Sequence, residues 1–330
     1  FQPALKHVFV GGTGRSGTTL AGQIMGEHSQ IWFTEPPELR FLTDPKGLLD
    51  LIQGAASRVD YNAARYAAAG KTGRLFLRNF VLNLREGMKP ADKRRRVEDT
   101  TPEEFIETML GYWWRWTGPD GHRRGFHRGL KRAEVEAAVA AFEKRYPDDP
   151  ENAARLLVSE LVDPAARRKG KSAWVDTTPT NGENALRLVT LLPDAKVIHM
   201  VRDGRDTVSS LMTRPWGPEE PLEGLEWWRR RVLRTHTAIG LCPAGSTLTV
   251  CMENLVTHDR DNELRRMLNF VGFEPDDAVW RYFNEEVDAE QGKLGRWQKN
   301  IPDRILPKFQ RRYAQIYTEL TGMGVPLPPL

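Results

Sequence analysis

The sequence has few cysteines and no long apolar segment. Its two cysteines, Cys242 and Cys251, are too few for a disulfide scaffold, and their spacing does not match a zinc site. No apolar run approaches the roughly 20 residues that a membrane-spanning helix needs, so we expect no stable membrane insertion. So few cysteines suit a reducing compartment, and we expect the protein to be cytoplasmic.

Neither sign of charge dominates the chain. Its 330 residues include 48 Lys and Arg and 44 Asp and Glu, for a net charge of +4 and a pI of about 9.0. A dedicated nucleic-acid protein would concentrate more positive charge, so we expect an anionic ligand but no nucleic-acid partner. The length would allow two domains. We predict a single domain over 1–330 with an insertion at 46–170.

Short apolar runs alternate with helical patterns outside that insertion. Strands are predicted at 6–10, 31–33, 172–175, 196–201 and 247–251. Helical patterns follow the first of these runs and also cover 184–192, 205–212 and 261–271. This alternation predicts an α/β fold with a central parallel sheet in a three-layer, P-loop-type arrangement. Such sheets bind ligands beyond the carboxyl ends of their strands.

The segment 46–170 differs in pattern and composition. It is rich in Ala and Arg, contains a basic run at 93–96 and carries a Tyr/Trp cluster at 112–116. We predict a largely helical insertion or lid that shapes an acceptor site. The aromatic cluster can stack on an aromatic or sugar acceptor, although residues at helical spacing are more often part of a core.

A glycine-rich turn between a strand and a helix, at 6–27, is the strongest motif. Small residues in such a turn let successive backbone N–H groups converge on an anion, and the helix N-terminus adds partial positive charge. Arg15 brings a charged fork into the turn, and Thr18 and Thr19 add hydroxyl groups. Three glycines permit the close approach: Gly12, Gly14 and Gly17.

The turn differs from a nucleotide-triphosphate P-loop in one position. Gly12 and Gly17 have the right separation, but Thr18 replaces the lysine that reaches the β- and γ-phosphates. The absence of this lysine favours a ligand whose 5′-phosphate carries a group other than the further phosphates of ATP. A P-loop kinase or other nucleotide phosphotransferase remains an alternative and would need a loop lysine and Mg²⁺. A non-catalytic anion-binding module is another alternative.

The run Gly-Arg-Ser-Gly-Thr-Thr-Leu at 14–20 resembles the 5′-phosphosulfate loop of sulfotransferases that use 3′-phosphoadenosine 5′-phosphosulfate (PAPS). The arginine resembles the bacterial and tyrosylprotein sulfotransferase branch. The resemblance implies PAPS as donor, 3′-phosphoadenosine 5′-phosphate (PAP) as product and no required metal. It further implies that the 5′ end of the donor contacts Gly14, Arg15, Ser16, Gly17, Thr18 and Thr19.

A second block, at 195–210, resembles the 3′-phosphate motif of the same family. Arg202 ends a predicted strand and Ser210 follows eight residues later, on the next helix. Together they can give a charged fork and a hydroxyl to one phosphate. Ser209 points about 100° away from Ser210 on such a helix.

A late segment, at 295–302, resembles the basic loop that closes over the nucleotide in this family. It makes Arg296, and less strongly Lys299, a candidate for contact with the donor. The resemblance covers roughly 1–45 and 171–305 and leaves the insertion unexplained.

Sulfuryl transfer needs a base near the acceptor hydroxyl and charge stabilisation on the departing phosphate. Arg15 is the candidate for stabilisation. Glu35, at the end of the second predicted strand, is our first candidate for the base, since a Glu in a similar place acts as base in the branch that the loop resembles. Glu38 is the alternative, and His122 and His127 are further ones from the insertion.

The acceptor is less defined by the sequence than the donor. We expect a small-molecule or glycolipid hydroxyl. The sequence is compatible with a homodimer.

Overall fold

A computed structural model describes residues 4–54, 100–118, 121–214 and 217–329 of the chain. In these residues one sheet of five parallel strands is present, in the order β2-β3-β1-β4-β5. The strands are β1 (Lys6–Gly12), β2 (Ile31–Phe33), β3 (Ala173–Asp176), β4 (Lys196–Val201) and β5 (Thr247–Cys251). All five match predicted strands, and the predicted α/β fold with a central parallel sheet is confirmed.

Helices cover both faces of this sheet. Those that precede β4 in the chain are α1 (Thr18–Gly26), α2 (Leu48–Gln53), α3 (Pro102–Leu110), α4 (Tyr112–Arg115), α5 (Arg132–Arg145), α6 (Pro150–Arg168) and α7 (Ala185–Leu191). The later ones are α8 (Gly204–Met212), α9 (Pro221–Gly240), α10 (Arg260–Phe270), α11 (Asp277–Glu286), α12 (Trp297–Asn300) and α13 (Leu306–Gly322). In the described part of the chain, none is long and apolar enough to cross a bilayer.

The strand residues alternate between two apolar cores. Val8 and Val10 of β1 pack with α1, α10 and α11, whereas Phe9 between them packs with α2, α5 and α6 on the other face. Alternation of side chains along a strand has a period of two, so a fully buried run such as 8–10 supplies both cores. The sheet is therefore the middle layer of three.

The described parts of the segment 46–170 are mainly helical. Helix α6 buries Leu157 and Leu161 in the same core as Trp174 of β3, so this part of the segment forms a layer of the fold. Asp149 begins α6 by accepting a hydrogen bond from the backbone of Asn152 at 3.0 Å. The stretch 55–99, which contains the basic run at 93–96, lies outside the described residues.

The carboxyl ends of β1, β2, β3 and β4 meet at one edge of the sheet. There β1 leads into the glycine-rich turn, β4 leads to Arg202, and β2 leads to the segment that carries Glu35 and Glu38. This is the edge at which parallel sheets bind ligands.

Candidate functional site

The turn after β1 has a conformation that presents backbone N–H groups. Gly14, Arg15 and Gly17 all have left-handed backbone angles, with φ of 82°, 59° and 94°. Gly17 begins α1 without a side-chain cap, so the first N–H groups of the helix have no side-chain partner and are available to an anion. The Ser16 hydroxyl is buried at 1% exposure and has no hydrogen-bond partner in the described structure.

Gly17→Ala is expected to lower the free energy of unfolding by about 1–2 kcal/mol, because alanine is strained at a left-handed φ. An added Cβ would also lie 2.5 Å from the sulfur of buried Met252. Urea unfolding measures the loss. Gly240→Ala is the matched control, since this glycine has open space around it. Equal stability of the Gly17 variant and wild type would contradict the assigned backbone conformation.

The two predicted phosphate motifs meet in space. The Arg15 Nε donates to the Ser210 Oγ at 2.9 Å, and Arg202 donates to the backbone oxygen of Arg15 at 3.1 Å. A second arm of Arg202 donates to the backbone oxygen of Lys293 at 2.7 Å. Arg202 is only 6% exposed, and its Nε has no partner among the described residues. The chain thus brings 14–19, Arg202 and Ser210 into one site.

Four cations surround this site: Arg15, Arg202, Arg214 and Lys293. Burial lowers the pKa of Arg15, and the nearby charges of Arg214 and Arg202 lower it further. Burial likewise lowers the pKa of Lys293, with Arg296 and Arg15 as the next causes. These closely spaced cations repel one another. A bound anion with several negative charges would offset that repulsion, so the site favours such a ligand.

A buried carboxylate holds the late segment against this cluster. Asp206 accepts hydrogen bonds from the backbone N–H groups of Gly295 at 2.7 Å and Trp297 at 3.1 Å. Burial raises the pKa of Asp206, and the charge of Arg202 opposes the rise. The Arg296 side chain between the two anchored groups is exposed and does not line the cleft, so its contact with a donor remains a prediction.

Asp206→Asn is expected to lower the free energy of unfolding by about 1–3 kcal/mol, because the two N–H groups bond different oxygens of Asp206 and asparagine has an NH₂ group in place of one of them. Urea unfolding measures this effect. Ser209→Ala is the comparison, since it removes a single bond, from Asn300 to the Ser209 hydroxyl at 2.8 Å. A smaller loss for Asp206→Asn than for Ser209→Ala would contradict the anchoring role.

A cleft of about 930 Å³ opens beside the turn. Its lining includes the cations described above, and the segment 46–170 adds Tyr112, Trp116, Thr117 and Arg124. Tyr112 is 56% exposed. Trp113 is part of the core, and the Trp116 ring lies 4.2 Å from the Arg40 guanidinium. Within the predicted aromatic cluster, Trp113 therefore packs in the core, whereas Tyr112 and Trp116 line the cleft.

The two candidate carboxylates lie in different places. Glu38 lines the cleft, but Glu35 does not: its side chain is exposed, and its Cβ lies close to Gly129. The separation arises because Leu39 donates its backbone N–H to buried Asp176 at 2.7 Å, which fixes the chain just after Glu38. Both residues thus follow β2 at this edge of the sheet, but only Glu38 lines the cleft, and a role of either residue as base stays a prediction.

The candidate histidines do not line the cleft either. His127 contacts the backbone oxygen of Trp114 through its Nδ1 at 2.8 Å, and His122 is exposed. Several cleft residues were not singled out from the sequence: Arg40, Arg124, Arg214, Arg231 and Lys293. A sequence signal exists for two of them, since Arg40 is two residues from Glu38 and Lys293 is two residues before the late segment.

Comparison with solved structures finds distant similarity over nearly the whole chain. The sulfotransferase domain of the Synechococcus PCC 7002 olefin synthase is 15% identical, with 99% of this chain and 97% of that chain covered and a TM-score of 0.44. The sulfotransferase domain from the curacin biosynthetic pathway is 14% identical, with 99% of both chains covered and a TM-score of 0.47. Sulfotransferase STF9 from Mycobacterium avium is 13% identical, with 99% and 79% covered and a TM-score of 0.44.

Comparison with sequences gives the family. No curated protein matches the chain. The model of the sulfotransferase family matches residues 7–277, which is most of the sequence and includes both phosphate motifs. The chain belongs to the sulfotransferase family.

Proposed function

We propose that this protein transfers the sulfuryl group of PAPS to the hydroxyl of an acceptor. The observation that carries the proposal is the hydrogen bond between Arg15 of the first motif and Ser210 of the second, at 2.9 Å, in a cleft that is lined by seven cationic side chains of the described residues. A donor with phosphate groups at both its 3′ and 5′ positions needs two adjacent anion sites. A kinase, which transfers the γ-phosphate of ATP, would not need the second of these anion sites.

The residues present fit such a donor. Left-handed Gly14 and Gly17 expose backbone N–H groups, and three buried polar atoms have no partner in the described structure: Ser16 Oγ, Arg202 Nε and Arg214 Nε. Residues 14–19 would hold the 5′-phosphosulfate, and Arg202 with Ser210 would hold the 3′-phosphate. Arg296 of the late segment and Lys293, two residues before it, would cover the nucleotide. PAPS supplies an activated sulfuryl group, and we expect no metal to be required.

Glu38 is the base in this proposal. It lines the cleft, and its Oε1 accepts no hydrogen bond from the described residues, so that oxygen is available to take the acceptor proton. Arg15 contributes positive charge near the departing phosphate, which stabilises the charge that develops there. Glu35, our first candidate from the sequence, is the alternative base and would have to move towards the cleft to act.

The acceptor is proposed to be a small-molecule or glycolipid hydroxyl. It would enter past exposed Tyr112, between the insertion and the turn. We propose no nucleic-acid partner and a cytoplasmic location, which suits the two free cysteines. A homodimer is compatible with this proposal.

Transfer of radioactive sulfate from labelled PAPS to a panel of phenols, sugars and glycolipids tests the activity. We expect a labelled product that forms equally well in EDTA, with PAP released in equal amount. The control uses labelled ATP with Mg²⁺ and the same panel. Transfer from ATP that EDTA abolishes, with no transfer from PAPS, would contradict the proposal.

A further inference from the structure

Arg40 is held in place from several sides. Its backbone φ is 62°, in the left-handed region, and its backbone N–H donates to the Thr178 hydroxyl at 3.2 Å. Its guanidinium lies 4.2 Å from the centre of the Trp116 ring. Such a conformation is uncommon for a residue other than glycine and persists only where the surroundings fix it.

The guanidinium of Arg40 bonds two carboxylates in an asymmetric way. Its Nε and one terminal nitrogen both donate to the Oε2 of Glu38, at 3.1 and 2.8 Å. The other terminal nitrogen donates to Asp44 at 3.0 Å. All the bonds to Glu38 thus use one oxygen, and they hold the carboxylate in a single orientation while Oε1 remains available.

The backbone around this ion pair is fixed by a further buried group. The Oδ1 of Asp176 accepts hydrogen bonds from the Leu39 backbone at 2.7 Å and from the Thr178 hydroxyl at 3.0 Å. Because Thr178 in turn bonds the Arg40 backbone, both residues after Glu38 are tied to the end of β3. A strong local framework of this kind suits a group that must be placed accurately.

We infer that Arg40 is a positioning residue for the base of the sulfuryl transfer. It holds Glu38 by Oε2 and directs Oε1 to the acceptor proton. Asp44 shares the guanidinium, so Arg40 keeps a charged partner when Glu38 becomes neutral on taking the proton. The inference rests on the proposed function, since it requires Glu38 to be the base.

Arg40→Ala is expected to lower kcat by roughly 10–100-fold, since orientation of a base is lost while the base itself remains. KM for PAPS and the affinity for PAP are expected to stay within about twofold, because Arg40 contacts neither phosphate motif. Added guanidinium ion should restore part of kcat, and Arg40→Lys should retain more activity than Arg40→Ala. Titration with PAP shows that each variant is folded.

Arg132→Ala is the matched control. Arg132 also stacks on a tryptophan, Trp114 at 5.0 Å, and pairs with a carboxylate, Glu136 at 2.7 Å, but it does not line the cleft. We expect its kcat to equal that of wild type. A loss as large as that of Arg40→Ala would overturn the inference, because the effect would then follow from lost packing.

A double-mutant cycle separates positioning from an independent role. If Arg40 acts only through Glu38, then Arg40→Ala causes no further loss of kcat in the Glu38→Gln background. If the fold-losses of kcat caused by Arg40→Ala and Glu38→Gln multiply in the double variant, the inference is overturned. Full activity of Glu38→Gln would instead show that the proposed base is wrong, and an absence of transfer by wild type would show that the proposed activity is wrong.

Discussion

Glu38→Gln is expected to lower turnover by about 10²–10⁴ while the affinity for PAP stays nearly unchanged, as for the loss of a general base. Glutamine has the same shape, and its amide oxygen can still accept hydrogen bonds from Arg40, so the loss reports the missing basicity. Glu38 lines the cleft but belongs to neither phosphate motif, which is why donor binding should be spared. Steady-state kinetics with labelled PAPS and calorimetric titration with PAP measure the two quantities.

Glu35→Gln is the matched control for this experiment. It makes the same change three residues earlier, on an exposed side chain outside the cleft lining. We expect its turnover to equal that of wild type. The reverse outcome, with a slow Glu35 variant and an unaffected Glu38 variant, would return the role of base to Glu35 and imply that the segment moves when substrates bind.

Arg202→Ala is expected to weaken PAP binding by about 1.5–3 kcal/mol, the range for a hydrogen bond to a charged group, or about 10- to 150-fold in affinity. The affinity for 5′-AMP, which has no 3′-phosphate, should change much less. Arg202 also donates hydrogen bonds to the backbone oxygens of Arg15 and Lys293. Loss of these two bonds in the variant will contribute to its weaker binding of PAP.

Two comparisons isolate the charge of Arg202. Arg202→Lys keeps the positive charge and loses the fork, so its affinity for PAP should lie between those of wild type and Arg202→Ala. Arg296→Ala removes an exposed cation of the late segment and should have a smaller effect. Equal losses of affinity for PAP and 5′-AMP in Arg202→Ala would contradict contact with the 3′-phosphate.

The sheet and the phosphate motifs could be predicted because their signals are local. A buried strand appears as a short apolar run, and the turn after β1 needs small residues at fixed positions, so 6–27 shows both without reference to the rest of the chain. Arg202 directly follows β4 and Ser210 lies on the next helix, α8, so a separation of eight residues is enough to suggest that they lie close together.

Which of the two candidate carboxylates lines the cleft could not be predicted in this way. Whether Glu35 or Glu38 lines the cleft depends on the bond between Leu39 and Asp176, which are 137 residues apart in the sequence. Arg40 owes its conformation to Thr178 and its stacking to Trp116, which come from other segments. Such contacts form only when β2 and β3 lie side by side, and no pattern within 31–40 contains that information.

Calorimetric titration of the protein with PAP and with 5′-AMP, both in EDTA, tests whether the site binds the 3′-phosphate of the donor. We expect metal-free binding of PAP that is at least about tenfold tighter than that of 5′-AMP, a difference of about 1.4 kcal/mol, because Arg202 and Ser210 add a second phosphate site. Absence of binding, or equal affinity for the two nucleotides, would contradict it.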